Sequence, residues 1–599
     1  MTVTSTAIDV ADLTLEEKAS LTSGLSFWHT QPIERLEIPP IMLTDGPHGL
    51  RKQAGAGDAM GLGVSDPATC FPPACGLGST WDVELIEEVG RALGAEASIA
   101  GVGVVLGPGL NIKRSPLCGR NFEYFSEDPV ISGQLAAAYV RGIQSQGVGS
   151  CVKHFAANNQ ETERMSVSAD VDARTLHEIY LHGFRTAVQD GTPWMVMAAY
   201  NKINGVYATE SHWLLTDMLR DRWGFDGVVV SDWGAVANRV AALKAGLDLQ
   251  MPTTDGATDK QIVQAVREGK LDESIVDEAA RRVLALVEKA QKSAGQVAGP
   301  LDVDAHNDLA RKAAGRSIVL LKNEGNLLPL DSDSTIAVIG EFAQKPRYQG
   351  AGSSLINPTK LDSAFDEIKA LSTGKVTYAQ GFITEEGAIV EDQARLLAQA
   401  QAAAADADVA VVFLGLPASA ESEGFDRTSI DLPAHQLEVL DAVRTANPNT
   451  VVVLSNGGVV ALPFVDDVPA ILEAWLLGQA GGGGTADVLF GKVNPSGKLA
   501  ETIPLRLEDN PTYPRFPGEF GQSHYGEGLY VGYRWYDARN MEVAFPFGHG
   551  LSYTKFEYKD PATAVCQDGA LAVEVTVANQ GERAGRGSSG LHVAAGQRR

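Results

Sequence analysis

Short, oily, β-branched runs that end in a polar side chain recur along the first 295 residues, and no other feature narrows the possible folds so far. The clearest is "FDGVVVSDWGAV" (225–236), in which Val228, Val229 and Val230 read as a buried strand and Asp232 follows with no turn residue between. Burial disfavours a carboxylate's charge, so an acid at the tip of an apolar strand needs a reason. Comparable runs are "IPPIMLTDG" (38–46), "IAGVGVVLGPGLNI" (99–112), "GVGSCVKHF" (147–155), "WMVMAAYN" (194–201) and "AGLDLQMP" (245–252). Helix-patterned stretches separate them. In "DARTLHEIYLHGFRTAVQ" (172–189), Leu176, Ile179, Tyr180, Leu181 and Phe184 recur at helical spacing.

Alternating β and α units over this length predict a parallel sheet, closed as a (β/α)8-type, TIM-like barrel over residues 1–295. In such a barrel the carboxyl ends of all strands face one side. That would gather Asp45, His154, Tyr200 with Asn201, and Asp232, which end different runs. Taken singly, an acid after a strand is also an ordinary helix N-cap.

The small, polar stretch "AGQVAGPLDVDA" (294–305) reads as a linker. Beyond it, "TIAVIGEF" (335–342), "ADVAVVFLGLPAS" (407–419), "NTVVVLSNGG" (449–458) and "PAILEAWLLGQAGG" (469–482) are near-continuous apolar runs, as expected of parallel strands covered on both faces. With the Ala-rich helix 391–407 they predict an α/β sandwich domain over 296–505.

Composition excludes several classes of function. A formal net charge of −26 argues against a nucleic-acid partner, which needs a basic footprint. No run approaches the roughly 18 apolar residues of a membrane span, and "MTVTSTAIDVADL" lacks the basic and apolar regions of a secretory leader. The five cysteines are scattered except in "CFPPAC", which has neither redox nor zinc spacing, so reduced thiols and a cytoplasmic location are expected. His177 and His182 stand five apart, not four as on a zinc helix, and the Gly-rich 478–492 lacks both phosphate-loop and dinucleotide spacing. No metal and no cofactor are expected.

Seven segments, in order, resemble glycoside hydrolase family 3 in its β-glucosidase branch: "TDGPHGLR" (44–51), "GRNFEYFSEDP" (119–129), "KHFAANNQETER" (153–164), "AAYNKINGVYA" (198–208), "GVVVSDWGAV" (227–236), "ESEGFDR" (421–427) and "FPFGHGLSYTKFEY" (545–558). The resemblance implies a retaining, exo-acting β-glucosidase taking single sugars from a small-molecule β-glucoside. It makes Asp232 the nucleophile, the Asp of the family's S-D-W motif. Such chemistry needs one carboxylate that attacks the anomeric carbon and one carboxylic acid that protonates the leaving oxygen. The cations Arg51, Lys153 and Arg164 would keep Asp232 charged.

The acid/base is expected from the second domain. The family's signature falls on Glu423, with Glu421 as the competing choice, and without the resemblance both would read as a solvated acidic loop. A less polar setting should raise the acid's pKa. By the same carry-over Asp45 grips the sugar's distal hydroxyls, Arg120 reaches those hydroxyls, and Lys153 and His154 are neighbouring donors. Tyr200 would hydrogen-bond the nucleophile, and Met197 and Trp233 would form an apolar wall. Trp28 is either a platform for the aglycone or a core residue.

"KHFAANNQ" lacks the second glycine–histidine element of the family's N-acetylglucosaminidases, and Asp45 stands where its xylosidases usually carry Glu. The alternatives are a β-xylosidase or α-L-arabinosidase of the same family, or an inactive sugar-binding homologue. From residue 506 the resemblance implies a connecting segment and a fibronectin-III-like sandwich. The stretch after Phe545 is about half the ~100 residues such a sandwich wants, and 585–599 abandons strand alternation. An incomplete sandwich, cut short by a frame change, is therefore expected for 506–599, and homo-oligomerisation is left open.

Overall fold

The computed structural model describes residues 9–53, 57–58, 63–384, 390–565 and 571–587. Five parallel strands, Leu43–Asp45, Val104–Leu106, Gly149–Phe155, Met195–Ala198 and Val228–Ser231, lie side by side in chain order. Every residue in them is buried, which is why their sequences are continuously apolar rather than alternating. Asp45 aligns with Leu106, and Phe155 with Ala198 and Ala198 with Ser231, so the carboxyl ends are level within each of these two groups, while Gly149–Phe155 runs on beyond Val104–Leu106.

Both edges of this sheet continue as isolated pairings. Val230 pairs with Leu249 and Gln250 with Ser23 in parallel, then Gly24 pairs with Thr30 and His29 with Met42 in antiparallel sense, which leads back to Leu43. This sheet has five regular strands among the described residues, not eight. The segment 24–42 carries Gly24, Pro32, Pro39 and Pro40, and proline cannot donate to a ladder. Helices pack outside: Val83–Ile99, capped by Asp82, against Pro129–Gln144, capped by Asp128. The predicted helix 172–189 is helical from Ala173 to Gly191, with π-type turns.

The second unit is a six-stranded sheet in the order Val376–Ala379, Ile336–Ile339, Val409–Gly415, Thr450–Ser455, Ala470–Glu473, Val319–Asn323. The first five are mutually parallel and the last is antiparallel. Within the Gly-rich 478–492, which lacks phosphate-loop spacing, the chain forms the helix Gly481–Leu489. Its glycines serve close packing on the helix Val303–Ser317: a Cβ on Gly484 would stand 2.7 Å from that of Ala314.

The chain after 506 returns to the first unit. Strand Gln522–His524 joins Ser168–Asp170 in a four-stranded sheet with Lys202–Ile203 and Val206–Tyr207. Glu127 accepts bonds from Thr502 and the Tyr533 N–H. Of the expected sandwich, one antiparallel hairpin is described, Phe556–Val565 with Leu571–Asn579, and most of its described side chains are exposed. Of the tail 585–599, expected to reflect a frame change, residues 588–599 lie outside the described residues. Among the described residues no helix is long and apolar enough to cross a membrane.

Candidate active site

Asp232 follows directly on the strand Val228–Ser231, and its backbone N–H is fixed to the Ala198 carbonyl at 2.9 Å. One carboxylate oxygen, Oδ1, accepts from the Trp233 N–H at 2.8 Å. The other, Oδ2, is buried with no hydrogen-bond partner among the described residues and lies 3.7 Å from His154 Nε2. A buried, uncommitted carboxylate oxygen is an exception to the rule that buried polar atoms are paired.

His154 is held on its other side. Tyr124 OH lies 3.3 Å from Nδ1, and the His154 backbone exchanges two bonds with Asn111. Burial and the charges of Arg120, Lys153 and Arg164 push its pKa well below the usual value, so it is a neutral imidazole. Consecutive Lys153 and His154 both serve the site because the strand pairing shifts register between Val152 and Phe155. In a regular strand they would point to opposite faces.

Asp45 ends the strand Leu43–Asp45, 3.5 Å from both Lys153 Nζ and Arg51 Nη1. Burial outweighs these two cations and raises its carboxyl to about 6. Arg51 also donates to the Asp58 carbonyl at 3.0 Å. The nest expected around Asp232 is therefore revised. Arg120, Arg164 and Lys153 favour its charge, with Arg120 in the place expected of Arg51, and burial still moves the carboxyl upward.

Glu423 comes from the second unit, on the loop before the helix Ala434–Ala446. Its Oε1 lies 2.9 Å from Arg164 and 3.5 Å from Arg120, and Oε2 accepts from the Ser353 N–H at 2.8 Å. Its charge also raises Asp232 and Asp45, so the three carboxylates share one site. Glu421 is elsewhere: its two oxygens accept from the Gly457 and Gly458 N–H groups at 2.8 and 2.7 Å, between Arg347 and Arg427. The expected rise in the Glu423 pKa is overturned. Burial does raise it, but Arg120, Arg164 and the Ser353 donor bring it down to about 2.

Tyr200 does not bond the Asp232 carboxylate as expected; its hydroxyl donates to the Trp233 carbonyl at 3.0 Å, and Arg164 lies over its ring. Met197 is buried in an apolar cluster with Trp28, Val230 and Leu249, while Trp233 packs at the margin of that cluster. Trp233 donates its indole N–H to the Phe27 carbonyl at 2.8 Å. Trp28 is 2 % exposed and packs on Trp233, so it is the core residue and not a platform.

Sequence reasoning passed over several partners. Glu123 bonds Arg120 at 2.6 Å, Glu161 bonds Arg164 at 2.7 Å, and Ser353 and Tyr124 orient Glu423 and His154. The two glutamates had a signal, each standing three residues from its arginine in R-x-x-E and E-x-x-R.

Glycoside hydrolysis canonically uses two carboxyl groups, and this site holds buried carboxyl groups from both units. The chain belongs to glycosyl hydrolase family 3: residues 18–286 match its N terminal domain and 318–553 its C-terminal domain. It is 55% identical over 98% of its length to thermostable beta-glucosidase B of Acetivibrio thermocellus, covering 78% of that protein. It is also 49% identical to an exo-alpha-(1->6)-L-arabinopyranosidase of Bifidobacterium longum, covering 96% of this chain and 77% of that one. Among solved structures, a β-glucosidase of Bifidobacterium adolescentis superposes with a TM-score of 0.91 at 50% identity, covering 96% and 82% of the two chains. Beta-glucosidase 3B of Thermotoga neapolitana in complex with glucose superposes with a TM-score of 0.87 at 37% identity, covering 96% and 86%.

Proposed function

We propose that the chain is a retaining, exo-acting β-glucosidase in which Asp232 is the nucleophile and Glu423 the acid/base. The observation that carries this is the free Asp232 Oδ2 in a buried site shared with Glu423. Asp232 attacks the anomeric carbon and forms a glycosyl ester, while Glu423 gives its proton to the leaving oxygen. Water, deprotonated by the Glu423 carboxylate, then releases the sugar. The ionised Glu423 of the free site is in the state the second step needs. For the first step it must gain a proton, and sugar hydroxyls that draw Arg120 and Arg164 away supply the means. Asp45 and Lys153 grip distal hydroxyls, an acceptor beside a donor, and neutral His154 donates from Nε2.

In this reading the ring of pairings through residues 23–30 and 249–250 closes the first sheet as an irregular barrel. The units are 1–295, 296–505 and 506–599, and the exposed hairpin is part of a fibronectin-III-like layer. Cys70, Cys75, Cys118 and Cys151, buried and unbonded, fit a reducing, cytoplasmic compartment.

The arabinopyranosidase relative favours a second reading, in which a pentopyranoside lacking the hydroxymethyl arm is the better substrate. A panel of nitrophenyl glycosides decides between them: highest kcat/KM on the β-D-glucoside supports the first reading, and on the α-L-arabinopyranoside the second. No turnover on any of them means a sugar-binding protein.

A further inference from the structure

The loop that carries Glu423 belongs to the second unit, yet it is tied to the first by a reciprocal pair of acids. The Glu161 carboxylate accepts from the N–H of Gly424, the residue after Glu423, at 2.8 Å. In return the Glu161 N–H donates to Asp426 Oδ1 at 2.9 Å. Asp426 takes three more donors from the first unit: the Thr162 N–H at 2.8 Å, the Thr162 hydroxyl at 2.7 Å and the Gly119 N–H at 3.1 Å. The Arg427 N–H adds a bond to the Leu117 carbonyl at 2.8 Å. The surfaces meet closely, since a Cβ on Gly119 would lie 1.8 Å from the Phe425 carbonyl oxygen.

We propose that Glu161 and Asp426 are positioning residues for the acid/base: they dock the 421–427 loop onto the first unit and place Glu423 over the bound sugar. This rests on the reading of Glu423 as acid/base. Glu161 also divides Arg164 with that residue, at 2.7 Å to Glu161 and 2.9 Å to Glu423 from the same Nη1. The charged groups facing Glu161 are Arg120, Arg164 and Glu423, with Gly424 donating from its backbone. Because both acids share one Arg164 nitrogen, the ionisation of Glu161, which burial pushes up to about 7, is linked to that of Glu423. Without the negative charge on Glu161, Arg164 turns wholly to Glu423 and holds it ionised to lower pH.

The test uses kcat/KM on cellobiose, a poor leaving group, and on dinitrophenyl β-glucoside, which leaves without a proton. Asp426→Asn should lose about 10²-fold on cellobiose, the cost of misplacing a catalytic group by an ångström, and less than about 5-fold on the dinitrophenyl substrate. Glu161→Gln should show the same split and move the alkaline limb of its kcat profile, which reports the sugar-bound site, to lower pH. Should Asp426→Asn fail to fold, Gly119→Ala, which pushes the loop away sterically, must give the split. Equal losses on both substrates with an unmoved alkaline limb overturn the proposal and leave a merely structural clasp. Glu423→Ala is the reference: if it shows the split and the clasp variants do not, only the clasp is wrong. If it does not, the acid/base reading fails and the clasp falls with it.

Discussion

A single nitrogen of Arg164 stands 2.9 Å from Glu423, although the two residues are 259 positions apart and lie on different units. That contact, with Arg120 beside it, holds the Glu423 carboxyl down to about 2 in the free site. In the proposed mechanism the acid is therefore armed by the bound sugar and not by a permanently apolar setting.

Two glutamates two residues apart should therefore behave differently. Glu423→Ala is expected to lower kcat/KM by about 10²–10⁴-fold on alkyl glucosides and cellobiose, and far less on activated aryl glucosides. Glu421→Ala leaves the Gly457 and Gly458 N–H groups without their buried acceptor. Its expected cost is about 1–3 kcal/mol of stability for each orphaned donor, with no dependence on the leaving group. Calorimetry and a leaving-group series check both; the acid pattern appearing in Glu421→Ala would reverse the assignment.

Asp45 should set an acid limb in kcat/KM. Its folded carboxyl titrates near 6, against 3.8 ordinarily, so activity that needs the charged acceptor is lost as pH falls through about 6. Asp45→Asn should weaken substrate binding and leave no limb at that pH. A wild-type profile flat down to pH 4.5 would contradict the placement.

Stability should follow the buried acids. Glu473, Glu127 and Glu161 are raised by burial to about 8, 7 and 7. Below these values the folded chain holds protons that the unfolded chain, with ordinary carboxyls, does not. Falling pH therefore favours the folded state over this window. Buried His48 and His154, whose pKa values are lowered, oppose this once pH falls below 6.5, where only the unfolded chain protonates them. Tm should rise from pH 8.5 to about 6.5 and more slowly below, as the two histidines offset part of the three acids; a Tm that falls across the first interval would contradict the burial assignments.

Trp28→Ala separates core from platform. Loss of a buried tryptophan should cost about 3–5 kcal/mol, read as a lower Tm, while the ratio of KM values for aryl and alkyl glucosides stays the same. A selective rise in KM for aryl glucosides would restore the platform role.

Much of this was legible in the sequence because parallel strands buried on both faces write continuous apolar runs. Val228–Ser231, Val409–Gly415 and Thr450–Ser455 all fall where those runs lie. A polar residue at or just past the end of three strands of the first unit then located Asp45, His154 and Asp232. Proximity set by loops was not legible. Nothing local distinguishes Glu421 from Glu423; the Gly457–Gly458 turn captures one and Arg164 the other. Nor does the sequence show that Tyr200 reaches the Trp233 carbonyl instead of the neighbouring carboxylate. The direction of the Glu423 shift was misjudged because the expectation weighed burial and not the arginines brought in by the other unit.

The central claim is that the open oxygen of Asp232 makes the bond to sugar. Incubating the protein with a 2-deoxy-2-fluoro-β-glucoside carrying a good leaving group should trap the glycosyl ester, and peptide mapping by mass spectrometry should place it on Asp232. A label on Asp45, Glu423 or any other carboxylate, or turnover of the glucoside with no adduct and with inverted product, would contradict the account.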